Sequence, residues 1–229
     1  MLTIRNLQVE YKKEFPVLKG IDLSMESGKI HGLVGLNGAG KTTLLNTLYS
    51  FIRPSAGSVS YNDRSLKRLD IAYLEAENYF YPYMTGREYL DLFPAGKNGF
   101  KTDNWQQLFH IPLDDIMENY STGMRKKLAL LAVLKLDKPI VVLDEPFNGL
   151  DLESAHILTL ILQQLRKGGK TVLVTSHVFE TLTSCCDYIH HIDHGAIDHS
   201  YSKDQFEMLQ KRLYSTIEDQ ASDQIKRLI

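Results

Sequence analysis

A run of eight residues early in the chain has the types and spacing needed to hold a phosphate chain. It reads Gly35-Leu36-Asn37-Gly38-Ala39-Gly40-Lys41-Thr42, which fits the P-loop pattern Gly-x-x-x-x-Gly-Lys-Ser/Thr at every fixed position. Glycines let main-chain N–H groups approach phosphate oxygens, and a following helix N-terminus adds a favourable field. Lys41 would bind the β- and γ-phosphates, and Thr42 would ligate Mg²⁺. The motif therefore predicts a nucleoside-triphosphate site.

Two adjacent carboxylates follow a short apolar run later in the chain. The run at 140–143 is typical of a strand buried on both faces of a parallel sheet, and Asp144 and Glu145 come directly after it. Ligands of open α/β sheets bind at the carboxyl ends of such strands, so these side chains should face the Lys41 loop. We expect Asp144 to hold Mg²⁺. Glu145 is the expected general base, because successive strand residues point apart and a charged neighbour opposes its ionisation.

The elements that must position these groups follow alternating strand and helix patterns. Apolar runs at 30–34 and 171–175 predict buried strands, whereas apolar and polar residues alternate at 21–26, as in a strand with one wet face. Helical spacing follows the P-loop and recurs at 157–165. We expect an α/β protein with a P-loop NTPase core, in which a mostly parallel sheet with flanking helices is joined by an N-terminal antiparallel β part.

Residues 76–135 have a helical pattern instead. Thr85-Gly86-Arg87-Glu88 is a capping box, and Ser121 precedes another helical stretch. Ser202-Lys203-Asp204-Gln205 opens a last helix. We therefore expect one domain (1–229), with an inserted helical subdomain at about 76–135 and a C-terminal helical tail at about 202–229.

The composition excludes several classes of protein. The 229 residues are 43% hydrophobic and 24% charged, which is typical of a globular chain. Basic residues number 26 against 28 acidic ones, so no basic surplus indicates a nucleic-acid partner. The first ten residues lack the apolar block of a secretion signal, and no apolar run approaches the ~18 residues of a membrane helix. Cys185 and Cys186 are adjacent, too close for a relaxed disulfide, and we expect reduced thiols in a cytoplasmic protein.

A third motif gives the chain a family resemblance. Tyr120-Ser121-Thr122-Gly123-Met124-Arg125, with the P-loop and the acidic strand end, is similar to the nucleotide-binding subunits of ATP-binding-cassette (ABC) transporters, over about 11–199. The family signature is usually Leu-Ser-Gly-Gly-Gln, and this variant resembles single-domain exporter-type cassettes. Ser121 and Gly123 are retained. The cations Arg125, Lys126 and Lys127 crowd the helix start, where the dipole disfavours them unless a phosphate arrives.

The resemblance implies further roles. Tyr11 would stack on adenine, although its place in a strand leaves a core position open. Gly149-Leu150-Asp151 would cross to a second cassette, and His177 would contact the γ-phosphate. The implied site comprises catalytic Glu145, His177 and Lys41; nucleotide-binding Tyr11, Asn37, Gly38, Ala39, Gly40, Lys41, Thr42, Thr43, Ser121 and Gly123; and the Mg²⁺ ligands Thr42 and Asp144.

One position departs from the family pattern. Between the P-loop and the helical subdomain, the family carries a glutamine that touches Mg²⁺ and the attacking water. Alignment of the neighbouring residues puts Ala76 at that position, between Glu75 and Glu77. Two interpretations stay open: one of the two carboxylates replaces the glutamine as a Mg²⁺ ligand, or the loop has no metal role and couples more weakly.

The resemblance implies an ATPase that uses ATP and Mg²⁺. Two cassettes would close head to tail around ATP, with Lys41 of one subunit facing Ser121 and Gly123 of the other. They would drive transport, in the export direction, by separate transmembrane permease subunits. The aromatics at 79–83 could belong to the core or to a docking surface, and the resemblance favours docking against the permease. The implied location is the cytoplasmic face of the membrane. The alternative is a regulatory or scaffold cassette that binds ATP and hydrolyses it poorly. The transported substrate and the identity of the second cassette stay open.

Overall fold

The computed structural model describes residues 1–12, 15–97, 99–215 and 218. Its first sheet contains β1 (Leu2–Lys12), β2 (Phe15–Met25), β4 (Ala56–Tyr61) and β5 (Arg64–Ser65). These strands are antiparallel, in the order β2-β1-β4-β5. The alternation in β2 has the expected effect, because Ile21, Leu23 and Met25 are buried and the residues between them are exposed.

The second sheet has six strands. They are β3 (Ile30–Val34), β6 (Ile71–Leu74), β7 (Ile140–Leu143), β8 (Thr171–Thr175), β9 (Tyr188–Asp193) and β10 (Ala196–Ser202). The order is β10-β9-β3-β8-β7-β6, and every pair is parallel except β9 with β10. All residues of β3, β7 and β8 are buried, as their continuous apolar runs predict. The predicted fold class is confirmed.

Within the described residues, and apart from the helix in the C-terminal tail, six helices flank the sheets or lie between strands. They are α1 (Lys41–Leu48), α2 (Gly86–Asp91), α3 (Thr102–Phe109), α4 (Thr122–Lys135), α5 (Leu152–Lys167) and α6 (Phe179–Cys185). The capping box of α2 is formed, since Thr85 N and Oγ1 donate to Glu88 Oε2 at 2.8 and 2.9 Å and Glu88 N donates to Thr85 Oγ1 at 3.2 Å. None of the described helices is long and apolar enough to cross a membrane.

The predicted C-terminal tail is only partly described. Residues 206–215 are helical, and Phe206 and Leu209 are buried against the core, as the predicted helix requires. Apart from residue 218, the tail beyond 215 lies outside the described residues.

The core lies on both faces of the parallel sheet. One face packs against α2, α4, α5 and α6, and the other packs against α1 and the antiparallel sheet. The strands β3, β6, β7 and β8 are mutually parallel, so their carboxyl ends share one edge. The P-loop and three other loops therefore meet at that edge, which is where an open α/β sheet binds ligands.

Candidate nucleotide-binding and catalytic site

A cleft of about 320 Å³ opens where the loops after β3, β6, β7 and β8 meet. It brings together the P-loop, both predicted carboxylates and His177, although these residues are far apart in the sequence. Ala39 is also in the P-loop but is buried beneath it. The cleft is lined by Val17, Asn37, Gly38, Gly40, Lys41, Thr42, Thr43, Ala76, Asp144, Glu145 and His177.

The P-loop glycines have two structural roles besides giving phosphates access to the main chain. They allow close packing against a neighbouring strand, and they adopt a backbone conformation that favours glycine. A Cβ on Gly35 would stand 2.2 Å from the main-chain oxygen of Ile192 on β9, so only glycine fits there. Gly40 is the N-cap of α1 and has φ of 110°, in the region that favours glycine. The loop therefore enters α1 directly, and the N-terminus of that helix faces the cleft.

Lys41 is bonded to the P-loop itself. Its Nζ donates to Gly35 O at 2.7 Å and to Leu36 O at 3.3 Å, and the residue is buried. Burial lowers the pKa of this lysine, while the nearby charges of Glu145 and Asp144 oppose the shift. The ammonium thus lies at the cleft, between the loop and the acidic pair.

Asp144 and Thr42 form a matched pair of oxygen donors. Thr42 Oγ1 donates to Asp144 Oδ2 at 3.4 Å, which joins the first turn of α1 to the end of β7. Thr175 Oγ1, at the end of β8, donates to Asp144 Oδ1 at 2.6 Å and fixes the carboxylate from the other side. A hydroxyl and a carboxylate side by side beside a P-loop are the ligands that Mg²⁺ takes in this class of site, so the residues present fit the ion.

The backbone at Glu145 differs from the sequence prediction. We expected strand alternation to point Asp144 and Glu145 apart, which is wrong because β7 ends at Leu143 and Glu145 has a left-handed φ of 48°. Both carboxylates line the same cleft. Such a backbone costs about 1–3 kcal/mol for a non-glycine residue and is kept only where the surroundings fix it. Thr175 does so, since Glu145 N donates to Thr175 Oγ1 at 2.9 Å.

The Glu145 side chain has the environment of a general base. Burial is the largest influence and raises its pKa, while the N–H of His177, which donates to Oε2 at 3.1 Å, is the largest opposing influence. The negative charge of Asp144 adds to the rise, as predicted, but burial matters more. Glu145 Oε1 is buried and accepts no hydrogen bond from any described group, although His177 Nε2 lies 3.3 Å away. That oxygen is free to accept a proton from water.

Tyr11 lies in β1 near the P-loop helix. Its side chain is 61% exposed, which excludes the core position that the sequence left open. Its hydroxyl is 3.2 Å from Thr43 Oγ1, and Thr43 lines the cleft. An exposed aromatic ring held at the edge of the P-loop can stack on a nucleobase.

Ser121 and Gly123 do not line the cleft. Ser121 is exposed and is the N-cap of α4, where its Oγ accepts a hydrogen bond from Met124 N at 3.2 Å. Gly123 is close to the loop after β7, because a Cβ there would stand 2.8 Å from Gly149 O. The start of α4 therefore faces solvent, away from the phosphate site of its own chain.

The basic residues near the start of α4 bond to groups of their own chain. Arg125 donates to Met117 O and Glu118 O at 3.3 and 3.2 Å. Each of the three cations bonds within its own chain, and the expectation that an arriving phosphate offsets their cost at the helix start stays a prediction. The remaining bonds run from Lys126 Nζ to Glu75 O and Ala76 O, and from Lys127 Nζ to Asp151 Oδ2 and Phe109 O.

The loop after β6 brings Ala76 to the cleft, where its methyl side chain can donate and accept nothing. Glu75 and Glu77 are exposed. Burial raises the pKa of Glu75, and the charge of Asp144 adds to the rise, so this carboxylate lies within the field of the acidic pair. Glu75 is thus a neighbour of Ala76 whose carboxylate interacts electrostatically with Asp144, as a replacement Mg²⁺ ligand would need to do.

Three residues of the site have no sequence motif of their own. Thr175 ends a buried strand beside β7, and its position in the sheet is the only signal that could have found it. Val17 lines the cleft from β2, and Lys126 of α4 bonds the main-chain oxygen of Ala76, which lines the cleft. These placements depend on the tertiary fold, so spacing in the sequence could not reveal them.

The fold and the cleft together define a P-loop ATPase of the α/β class. The sequence model described as "ABC transporter" matches residues 18–148 of the chain. The chain therefore belongs to the ABC transporter family, as one of its ATP-binding, ATP-hydrolysing members.

Individual relatives agree with this assignment. The chain is 34% identical over 203 residues to an ABC transporter ATP-binding protein of Nostoc sp. (strain PCC 7120). The aligned residues cover 82% of this chain but only 60% of the Nostoc protein. It is 30% identical over 201 residues to the ABC transporter ATP-binding protein NatA of Bacillus subtilis (strain 168), covering 81% of the chain and 82% of NatA.

Two solved structures share the fold. The ATP-binding subunit of an ABC transporter is 24% identical, has a TM-score of 0.81, and is matched over 88% of this chain and 90% of its own. A dimeric ATP-binding cassette in a post-hydrolysis state, bound to ADP and phosphate, is 19% identical with a TM-score of 0.76, over 89% of this chain and 99% of its own.

Proposed function

We propose that two cassettes close head to tail around ATP and thereby drive export through separate transmembrane permease subunits. The observation that carries this proposal is the separation of the two half-sites. Lys41 lies in the cleft, whereas Ser121 and Gly123 lie outside it at an exposed helix start. One chain cannot bring both groups to one triphosphate, and a second copy or a similar cassette would supply the missing half.

The residues of the cleft have distinct parts in hydrolysis. Lys41 would bind the β- and γ-phosphates and stabilise charge on the transferring phosphoryl group. Glu145 Oε1 would accept the proton of the attacking water, and His177 would orient that carboxylate and contact the γ-phosphate. Thr42 and Asp144 would hold Mg²⁺, which supplies charge neutralisation at the phosphates when bound.

The start of α4 would complete the site of the opposite subunit. In the described structure, Ser121 Oγ accepts the bond of the helix cap from Met124 N, and its hydroxyl donates to no described group. Its hydroxyl proton, together with N–H groups at the N-terminus of α4, would bind the γ-phosphate of the partner's nucleotide. ATP would then contribute much of the dimer interface, so dimerisation should depend on the nucleotide.

Membrane attachment would come from the permease subunits. The segment 79–83 carries Tyr79, Tyr81 and Tyr83, which are 73%, 52% and 85% exposed. Aromatic side chains this exposed are unfavourable in water and are enriched at protein interfaces. They support docking of the permease at this face, with the cassette on the cytoplasmic side. One relative is named the lantibiotic transport ATP-binding protein SrtF of Streptococcus pyogenes, 26% identical over 204 residues.

We also propose that residues 76–135 form a subdomain that moves as a unit. The helices α2, α3 and α4 follow one another between β6 and β7, and they share one part of the core. A rotation of this unit would move the start of α4 relative to the P-loop, which is the movement that closing and opening of the dimer requires.

The variant Glu145→Gln tests the proposed function. It should keep ATP binding and lose about 10²–10⁴-fold in hydrolysis rate, because the amide cannot accept the proton of water. Size-exclusion chromatography with Mg-ATP should then show a stable dimer that is absent without nucleotide. Glu207→Gln, on the exposed face of the helix at 206–215, is the matched control. Rapid hydrolysis by Glu145→Gln, or no dimer at any ATP concentration, would contradict the proposal.

A second candidate function is a regulatory cassette that binds ATP and hydrolyses it poorly. Ala76 favours this function, because its methyl group can neither ligate Mg²⁺ nor form a hydrogen bond to water. Steady-state ATPase measurements, with and without the co-purifying membrane protein, separate the two functions. The regulatory function requires a wild-type rate no higher than that of Glu145→Gln under both conditions.

A further inference from the structure

Lys126 is a charged side chain that is buried next to the nucleotide cleft. It is 7% exposed, and its Nζ donates to the carbonyl oxygens of Glu75 at 3.3 Å and Ala76 at 3.1 Å. Both carbonyls belong to the loop after β6, and Ala76 lines the cleft. The side chain therefore joins the first half of α4 to the wall of the ATP site.

Stability alone does not explain a lysine at this position. A buried ammonium loses its hydration, and a carboxylate partner usually compensates. Among the residues that the structure describes, Lys126 forms no ion pair, and its direct partners are two neutral carbonyls. Burial lowers the pKa of the lysine, and Asp144 and Glu145 oppose that shift through space. A costly charge that lies in the field of the catalytic acid pair indicates a function.

We propose that Lys126 is a positioning residue of the ATPase site, which holds the loop at Glu75 and Ala76 through its main chain. The position of Ala76 is the one where the family has a glutamine, and the alanine side chain cannot fix the loop against the metal or the attacking water. Lys126 supplies that constraint from behind the loop instead. The inference rests on the proposed function and adds to it the residue that compensates for the missing amide.

The same contact links the two half-sites of one chain. Lys126 lies about 7 Å along the helix axis from Ser121, at 1.5 Å per residue. Nucleotide binding that shifts the loop at 75–76 would therefore shift the helix start that faces the partner's ATP. Lys126 transmits this movement because its ammonium bonds the loop while its backbone is part of α4.

The test compares two buried lysines of the same helix. Lys135 is 9% exposed, and its Nζ donates to Leu90 O at 2.7 Å and Asp91 Oδ1 at 3.3 Å, far from the cleft. Lys126→Met removes two bonds to carbonyl oxygens in the first half of α4, and Lys135→Met removes one such bond and an ion pair at the last residue of the helix. Lys126→Arg keeps the charge and the donors. Lys126→Gln, which is shorter and neutral, is the second variant if Lys126→Met does not fold.

Two readouts are taken on the purified chain. In the ATPase assay, Lys126→Met should lower kcat by about 10–100-fold, as expected for a misplaced site, with a smaller change in the KM for ATP. Lys126→Arg should restore most of kcat, and Lys135→Met should leave it unchanged. Amide hydrogen exchange, measured without nucleotide, should increase at 71–80 in Lys126→Met and at 86–95 in Lys135→Met.

The outcomes separate this inference from the proposed function. Equal kcat values for Lys126→Met and Lys135→Met, in an active wild type, would overturn the inference and leave the proposed function intact. Unchanged exchange at 71–80 would also overturn it, because the loop would then be held by other contacts. A wild type with no ATPase activity under any condition contradicts the proposed function, and the exchange result still decides whether Lys126 holds the loop.

Discussion

A single hydroxyl group holds both of the adjacent acidic residues, Asp144 and Glu145, at the cleft. Thr175 Oγ1 donates to Asp144 Oδ1 and accepts from Glu145 N, so it uses its donor and one acceptor position at once. The backbone of Glu145 is left-handed, and this second bond helps to keep it so. The geometry of the acid pair thus depends on a neighbouring strand and not only on its own loop.

Replacement of Thr175 by valine should damage stability and catalysis together. Thr175→Val keeps the shape but leaves two buried polar groups without a partner, at a cost of about 1–3 kcal/mol. We expect kcat to fall by about 10–100-fold, because both carboxylates lose their fixed position. Urea denaturation and steady-state ATPase assays measure the two effects.

The same strand provides the control. Thr171 is also fully buried in β8, but its Oγ1 has no hydrogen-bond partner among the described groups. Thr171→Val should therefore be neutral or stabilising, with normal kcat. A loss of stability in Thr171→Val equal to that in Thr175→Val would show that the bonds to the acid pair are not the cause.

Residue types predicted the chemistry of the site better than its geometry. The P-loop, Asp144 and Glu145 could be found because their types and spacing follow directly from phosphate and metal chemistry. The orientation of Glu145 could not, because it depends on where β7 ends and on a bond from β8. The contact of Lys126 could not be predicted for the same reason, since only the packing of α4 shows which loop it reaches.

At the scale of the element, the start of α4 would combine an observed function and a proposed one in one side chain. Ser121 caps the helix in its own chain, and the proposed dimer uses its hydroxyl proton for the partner's phosphate. A capping residue and a phosphate ligand need the same exposed helix end, so the two functions are compatible. They can still be separated, because a carboxylate can cap a helix but repels a phosphate.

Two substitutions at Ser121 separate capping from phosphate binding. Ser121→Ala should cost about 1 kcal/mol of stability through loss of the cap. Ser121→Asp should keep the stability and abolish the ATP-dependent dimer, because its charge would face the γ-phosphate of the other subunit. Thermal unfolding and size-exclusion chromatography with Mg-ATP, both in the Glu145→Gln background, measure these effects. A normal dimer in Ser121→Asp would place the helix start outside the nucleotide interface.

The elements themselves were largely predictable from the sequence. Continuous apolar runs became the buried strands β3, β7 and β8, and the capping box at Thr85 begins α2 as expected. These signals are local, so they do not depend on the rest of the chain. The pairing order of the sheet is not local, and neither is the contact between Gly123 and the loop at Gly149. Such contacts join distant segments and become visible only in the folded chain.

At the scale of the molecule, a buried histidine pair joins the centre of the parallel sheet to its antiparallel edge. His31 of β3 and His190 of β9 lie 3.0 Å apart, Nδ1 to Nε2. His31 Nε2 bonds to Glu26 O at 3.2 Å, and a carbonyl can only accept. With both rings neutral, His190 Nε2 must donate to His31 Nδ1, and Ser200 must donate to His190 Nδ1 at 2.8 Å. A proton added to either ring breaks this order.

The pair should make the folded state sensitive to mild acid. Burial lowers the pKa of His190 from 6.5 to about 3, and burial also lowers that of His31. Between these values the unfolded chain binds a proton that the folded chain does not, so stability falls as the pH falls below 6.5. His190 contributes a slope that approaches about 1.4 kcal/mol per pH unit as the unfolded chain becomes fully protonated, and His31 acts in the same direction.

Urea denaturation at pH 7.5, 6.5 and 5.5 measures this slope. His190→Gln keeps a donor and an acceptor but cannot be protonated, so its stability should depend less on pH. His194→Gln is the control, because the side chain of His194 is 90% exposed. A slope in His190→Gln equal to that of the wild type would assign the acid sensitivity to other groups.

The bonds between Lys41 and its own loop have a consequence for turnover. The Lys41 ammonium is already hydrogen-bonded before a triphosphate binds. It donates two of its three protons to Gly35 O and Leu36 O. If Lys41 binds the phosphates as predicted, it would exchange these partners for phosphate oxygens, and the affinity gained would be only the difference between the two sets of bonds. When the product dissociates, Lys41 would again donate hydrogen bonds to Gly35 O and Leu36 O. This exchange would lower the affinity for the product nucleotide, which favours product release and a new cycle of binding.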